Sequence, residues 1–332
     1  MLRPHERSFK RQSNRLGWIL TAMVGILLVS SFLIYGISHI LSLAAGDNIR
    51  ISVRAVIESL LYMCSFIIPA ALFYILPHRE ICRPAGFSPR ITRYFPLILF
   101  AFLAINLGLS VVNGLFCQAV GIVSEPEPLD KNIQNAEIVL LYMTTSLAPA
   151  FAEEVLFRGV VYTNLRPYGK SAAVLISAVL FGLMHMNAEQ FLYTTTAGIL
   201  LAVLYEMTGS IWSGVLIHMC NNLYSVLQAV ISIRFPSLKG TAISYILQAA
   251  IIFLGIISMI VLGNIYHKKA NSGREVLPDT VPQGFFGKRP MIPSWQTTPM
   301  ADLTLGRSVY LTFMTPGMLV FTVLALVMMI MQ

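Results

Sequence analysis

The stretch FAEEVLFRGV, residues 151–160, sets two adjacent carboxylates and a guanidinium among apolar and small side chains. The residues that lead into it, 138–152, carry no charge. On a helix, Glu154 and Arg158 are four apart and share a face, in the favourable order with the acid first. Glu153 is turned by about 100° from Glu154. The two carboxylates can therefore divide their roles: Glu154 holds Arg158, and Glu153 faces elsewhere with no partner on its own helix. A carboxylate so placed in a low-dielectric site suits a general base or acid. Two further polar islands follow. FGLMH runs from Phe181 to His185, and HMCNN sets His218 and Asn222 on one helical face. Of the other histidines, His5, His78 and His267 belong to basic segments, and His39 reads as an interfacial residue. Each island also has a plainer reading: an ion-paired helix end, a packed histidine, and a hydrogen-bonding pair that glues two helices. Three in succession, each otherwise bearing its desolvation cost alone, point instead to convergence on one site.

The elements that must bring them together are membrane helices. The chain has 332 residues, 56% hydrophobic and 11% charged, with a mean hydropathy of +0.72. A soluble domain is about a quarter charged, so a soluble globular fold is excluded. Uncharged or nearly uncharged runs lie at 16–46, 59–77, 94–124, 138–152, 171–184, 190–205, 207–233, 240–266 and 308–332. A spanning helix needs about 20 apolar residues. The runs from 138, 171 and 190 fall short, and they end at Glu153, His185 and Glu206. Ionisable groups carried by membrane spans mark functional sites. In lipid every backbone polar group must be satisfied internally, and no alternating barrel pattern is present. The expected fold is an all-α polytopic membrane protein, a bundle of about 8–9 transmembrane helices.

The net charge of +8 does not indicate nucleic acid, because of where the charges fall. Segments 1–15, 78–93, 166–170 and 267–274 are basic, and 125–137 is acidic. With about nine crossings the basic segments share one side, and the positive-inside rule puts the N-terminus in the cytoplasm and the C-terminus outside. RFPSLK, 234–239, is the exception, leaving two basic residues outside. The first apolar run is too long for a signal-peptide core and reads as a retained helix. Cys64, Cys82, Cys117 and Cys220 form no CxxC and read as buried thiols. The chain then divides into 1–137, a basic tail and three helices; 138–232, the core that carries the three islands; and 233–332, C-terminal helices with a polar, proline-rich cytoplasmic loop at 267–308.

EExxxR, FxxxH and HxxxN, in that order in a polytopic helical chain, resemble the CPBP family of intramembrane proteases. That family comprises the type II CAAX prenyl endopeptidases, the bacteriocin-processing and self-immunity proteins, and the abortive-infection (ABI) proteins. The matching residues are Glu153, Glu154 and Arg158, then Phe181 and His185, then His218 and Asn222, and no position of the pattern is broken. The resemblance implies an intramembrane endopeptidase in the plasma membrane of a prokaryote, cutting membrane-associated, hydrophobic or prenylated peptides near the cytoplasmic side. It implies that Glu153 with His185 activates a water, His218 and Asn222 steady the oxyanion, and Arg158 orients Glu154, which helps set the local field. The lipid bilayer and a hydrophobic peptide or protein are the implied partners. A glutamate and two histidines are also a ligand set that zinc accepts; HExxH is absent, and the spacing leaves the zinc and metal-free routes both open. A non-catalytic scaffold or immunity protein of the same fold is the alternative, followed by a proton-coupled transporter, for which no inverted repeat is visible. One difficulty is depth. At about 1.5 Å per residue, a helix entered at Ser171 puts His185 roughly 20 Å deep, whereas one entered at Ile211 puts His218 only about 10 Å deep.

Overall fold

The computed structural model describes residues 2–44, 47–76, 85–87, 89, 91–122, 135–271 and 303–331. Residues 123–134 of the acidic segment, residues 272–302 of the polar loop, His78 and Cys82 lie outside the described residues. Among the described residues every regular element is helical. Seven helices are long and apolar enough to cross a membrane, and a sharply bent C-terminal pair makes an eighth if the two count as one span. The chain is an integral, multi-pass, all-helical membrane protein. Large apolar side chains such as Phe32, Tyr35, Ile246 and Ile330 stand exposed on the outside of the bundle, as a lipid-facing surface requires.

We number the helices α1 (Pro4–Ala44), α2 (Asp47–Ile75), α3 (Phe95–Ala119), α4 (Ile138–Tyr168), α5 (Lys170–Met184), α6 (Ala188–Thr208), α7 (Ile211–Arg234), α8 (Leu238–Asn271), α9 (Leu305–Phe313) and α10 (Pro316–Met331). The basic N-terminus is no loose tail but the first turns of α1. Pro4 opens the helix, where its missing N–H costs nothing. Glu6 accepts from the Arg3 backbone N–H at 2.8 Å and from Arg307 Nε at 2.8 Å, which pins these turns to α9. The run 308–332, expected as one helix, is broken at Met314–Thr315, and the axes of α9 and α10 differ by 80°. Pro316 lacks the N–H that a continuous helix would use, so a new helix starts there.

Close packing depends on small residues, as is usual where lipid supplies no hydrophobic drive between helices. A Cβ on Gly17 would lie 2.3 Å from the backbone of Gly317, so α1 and α10 touch backbone to backbone. Gly198 of α6 meets Ala178 of α5 in the same way. Of the cysteines, Cys117 is buried and Cys220 half-buried, but Cys64 is exposed, contrary to expectation. A thiol is apolar enough to face lipid.

The ends of the helices are sorted. At one end Ser8 and Tyr168 share a hydrogen bond of 2.8 Å, Arg15 donates to the carbonyl of Leu76 at 3.2 Å, and Leu303 N–H donates to the Tyr168 carbonyl. There too the Gly86 carbonyl accepts from Ile211 N–H and the Gly86 N–H donates to the Tyr205 hydroxyl, both at 2.9 Å. At the other end Asn113 donates to the Glu189 carbonyl, and Asn222 to the Thr145 carbonyl.

Candidate active site

The helix that carries FAEEVLFRGV is irregular. It is α-helical over Ala148–Glu154 and π-helical over Val155–Tyr162, after an earlier π turn at Met143–Leu147. A π turn closes its hydrogen bonds five residues back and is frequent at functional sites. Side chains secure the carbonyls around the wide turns. The Thr163 hydroxyl donates to the Arg158 carbonyl at 2.7 Å, Asn164 to Val160 at 2.8 Å, and the Tyr74 hydroxyl to Gly159 at 3.1 Å.

Glu154 and Arg158 form the expected i,i+4 pair, with Nη1 2.9 Å from Oε1 and both side chains shut off from solvent. Arg158 also donates to the Gly198 carbonyl at 3.1 Å and lies over the Phe181 ring, 4.6 Å from its centre. Gly214 of α7 makes room for the Glu154 carboxylate: a Cβ there would come within 2.6 Å of Oε2. Glu153 faces away, as its 100° offset requires, but it is not alone. Tyr62 of α2 donates its hydroxyl to Glu153 Oε1 at 2.6 Å. The other oxygen, Oε2, is buried and makes no hydrogen bond.

His218 sits between the two carboxylates, with Nε2 3.8 Å from Glu153 and Nδ1 3.4 Å from Glu154. His185 caps α5, and its Nδ1 lies 2.9 Å from the Phe181 carbonyl. Phe181 stands edge-on to both histidine rings, with centroid distances of 5.0 Å to His185 and 5.8 Å to His218. The expected difference in depth does not hold: both histidines pack against Phe181, although α5 and α7 start at the same end, where Lys170 lies 3.6 Å from Glu206, five residues before Ile211.

A cavity of about 560 Å3 opens over this group, lined by Glu153, His185, His218 and Asn222. Glu154 and Arg158 lie behind that wall and do not line it. Asn222 donates to the Thr145 carbonyl at 3.4 Å. The same cavity is lined by an amide pair that the sequence reading missed. Asn106 of α3 donates to Asn221 Oδ1 at 2.8 Å, and its own Oδ1 is buried without a hydrogen-bond partner. An amide inside the run 94–124 was the available signal, since such groups in a membrane helix bind something. Tyr62 had no comparable signal in a chain with 13 tyrosines.

Whether these residues suit a metal can be judged from their arrangement. Among the described residues no three or more His, Cys, Asp or Glu side chains are grouped to hold a metal ion. His218 faces two carboxylates, 3.8 Å and 3.4 Å away, and the Arg158 guanidinium beside Glu154 supplies the positive charge that a cation would otherwise bring. As placed, the set does not fit zinc.

Residues 135–224, which contain all three motifs, match the family model described as "Type II CAAX prenyl endopeptidase Rce1-like". The resemblance drawn from EExxxR, FxxxH and HxxxN is thus borne out over that segment. Over 100 residues the chain is 30% identical to the "Putative membrane peptidase YdiL" of Bacillus subtilis (strain 168), covering 29% of this chain and 40% of that protein. Over 168 residues it is 25% identical to the "UPF0177 protein YvdC" of Lactococcus lactis subsp. lactis (strain IL1403), covering 48% of this chain and 64% of that one. The chain therefore spans less than two thirds of either relative. No solved structure matches it.

Proposed function

We propose that this chain is an intramembrane endopeptidase that cleaves hydrophobic or membrane-associated peptides with a water activated by Glu153, without a metal. The observation that carries this reading is the state of Glu153. One oxygen is held by Tyr62, and the other makes no hydrogen bond at the wall of a cavity that His185, His218 and Asn222 also line.

In this mechanism Glu153 Oε2 takes a proton from a water that His185 helps to orient, and the resulting hydroxide attacks the scissile carbonyl. His218 and Asn222 donate to the oxyanion, Asn222 exchanging the Thr145 carbonyl for it. The proton on Glu153 then passes to the leaving amine as the C–N bond breaks, which restores the carboxylate. Each oxyanion donor is worth about 10²–10³ in rate. Arg158 and Glu154 act from behind the wall: the pair fixes the Glu154 carboxylate, and that carboxylate positions His218. Asn106 Oδ1, an acceptor with no donor of its own, is placed to take a backbone N–H of the bound peptide.

The test uses wild type and Glu153→Gln in lipid nanodiscs, incubated with a library of hydrophobic and prenylated peptides, with new termini read by mass spectrometry. The expected result is cleavage by wild type alone, unchanged by chelators. Turnover by Glu153→Gln equal to wild type would remove Glu153 from the mechanism. Loss of activity on chelation, restored by added zinc, would overturn the metal-free route.

A further inference from the structure

We infer that the catalytic cavity opens on the non-cytoplasmic side of the membrane, so that its substrate is a peptide presented outside the cytoplasm. The substrate class rests on the peptidase reading above; the side of the opening does not.

Two observations carry it. The first is the sorting of charge between the two ends of the bundle. The end where Ser8, Leu76, Gly86, Tyr168 and Ile211 meet is also where the basic segments join the helices. Arg3 to Arg15 begin α1, 78–93 links α2 to α3, Arg166 and Lys170 flank the turn from α4 to α5, and Lys268 and Lys269 end α8. The opposite end adjoins the acidic sequence 125–137, against which Arg50 and Arg54 in the first turns of α2, with Arg234 and Lys239, are the counterweight. Basic segments stay in the cytoplasm, so the first end is cytoplasmic.

The second observation is where the cavity lies along each helix. In α2 its lining residues, Glu58 and Tyr62, are remote from the basic end at Ile75. In α4 Thr145 and Glu153 lie far from Arg166, and in α5 His185 is at the end opposite Lys170. In α6 Gln190 lies opposite Glu206, which binds Arg166 at the basic end. The floor, nearer the basic end, is closed by buried Phe102, Phe181 and Leu201. The rim is exposed at Ser110, Thr145 and Ser225. At about 1.5 Å per residue, Ser110 lies about 22 Å along α3 from Phe95 and Ser225 about 21 Å along α7 from Ile211. In a hydrocarbon core of about 30 Å the rim is therefore in the outer part of the membrane. On this inference cleavage takes place away from the cytoplasmic side that the resemblance implies, and a lipidated cytoplasmic tail would meet the floor of the cavity. The substrate that fits is an exported peptide, or a polypeptide segment held at the outer surface.

The experiment places single cysteines at Ser110→Cys and Ser225→Cys in the full chain with its four native cysteines replaced. Arg93→Cys, exposed at the basic end, serves as reference. Intact cells are treated with a membrane-impermeant maleimide. The rim positions are expected to label in intact cells, and Arg93→Cys only after permeabilisation; the reverse pattern overturns the proposal. Should the cysteine-free chain fail to fold, an N-terminal epitope on the native-cysteine chain gives the same answer. An antibody is expected to reach it only after permeabilisation, and its detection on intact cells overturns the orientation. Outward labelling without cleavage of peptides added to either side of vesicles would retain the orientation and sink the peptidase reading.

Discussion

Two buried glutamate clusters, one at each level of the bundle, hold nearly the same residue types to opposite effect. At the basic end Glu206 is saturated. Its Oε1 takes Arg166 Nη2 at 2.6 Å with Lys170 at 3.6 Å, and its Oε2 takes Arg166 Nε at 2.8 Å and the Tyr162 hydroxyl at 2.5 Å. In the cavity Glu153 also has a tyrosine, Tyr62, but its second oxygen makes no hydrogen bond, and neither does His218 Nδ1 or Arg158 Nε. A buried polar group left without hydrogen bonds costs about 1–3 kcal/mol. The chain removes that cost in one cluster and carries it in the other. The saturated cluster can only hold α4 to α6. The unsaturated one retains the capacity to bind water, substrate and a moving proton.

The sharpest way to break this contrast is to neutralise each glutamate. Glu153→Gln is expected to lower the cleavage rate by about 10²–10⁴-fold, the usual worth of a general base, with the thermal midpoint close to wild type. Glu206→Ala strands Arg166 and is expected to cost about 3 kcal/mol of stability, seen as a lower thermal midpoint, with the rate per folded molecule unchanged. If both variants lost stability alike and neither lost specific activity, the two clusters would be equivalent and the distinction would fail.

Smaller effects sharpen it. Glu154→Gln and Arg158→Met, made singly and together, are expected to show a coupling of about 0.5–3 kcal/mol in a thermal-melt cycle; strict additivity counts against the pair. Tyr62→Phe should slow cleavage about tenfold, the equivalent of roughly 1.4 kcal/mol, a typical hydrogen bond to a charged group, whereas Tyr162→Phe should shift only the melt. Asn106→Leu is expected to raise KM several-fold, for about 1 kcal/mol of lost hydrogen bonding, with kcat little changed. A fall in kcat alone would place Asn106 in the chemistry instead of in substrate binding.

Much of this was legible beforehand because it is local. The membrane helices follow from uncharged runs, and the six residues singled out are brought together, with four on the cavity wall and the Glu154–Arg158 pair behind it. The readings that changed concern boundaries and partners. The basic tail is the first turns of α1, tied through Glu6 to Arg307, far along the chain. The C-terminal run broke because Pro316 restarts it. Glu153 acquired Tyr62, 91 residues away, across a helix interface that no spacing rule can register.

The sequence by itself determined the all-helical membrane class, the shared face of Glu154 and Arg158, and that of His218 and Asn222. Each of these depends on a periodicity of a few residues, and helix geometry is the same wherever the helix sits. Only the tertiary structure decided that Ser210 and Ile211 are buried where α7 starts, that Gly214 yields its space to a carboxylate, and that Asn106 with Asn221 lines the same cavity as the proposed base. Those facts are relations between helices distant in the chain, set by how small residues let backbones approach and by which polar groups found partners once lipid had taken water away.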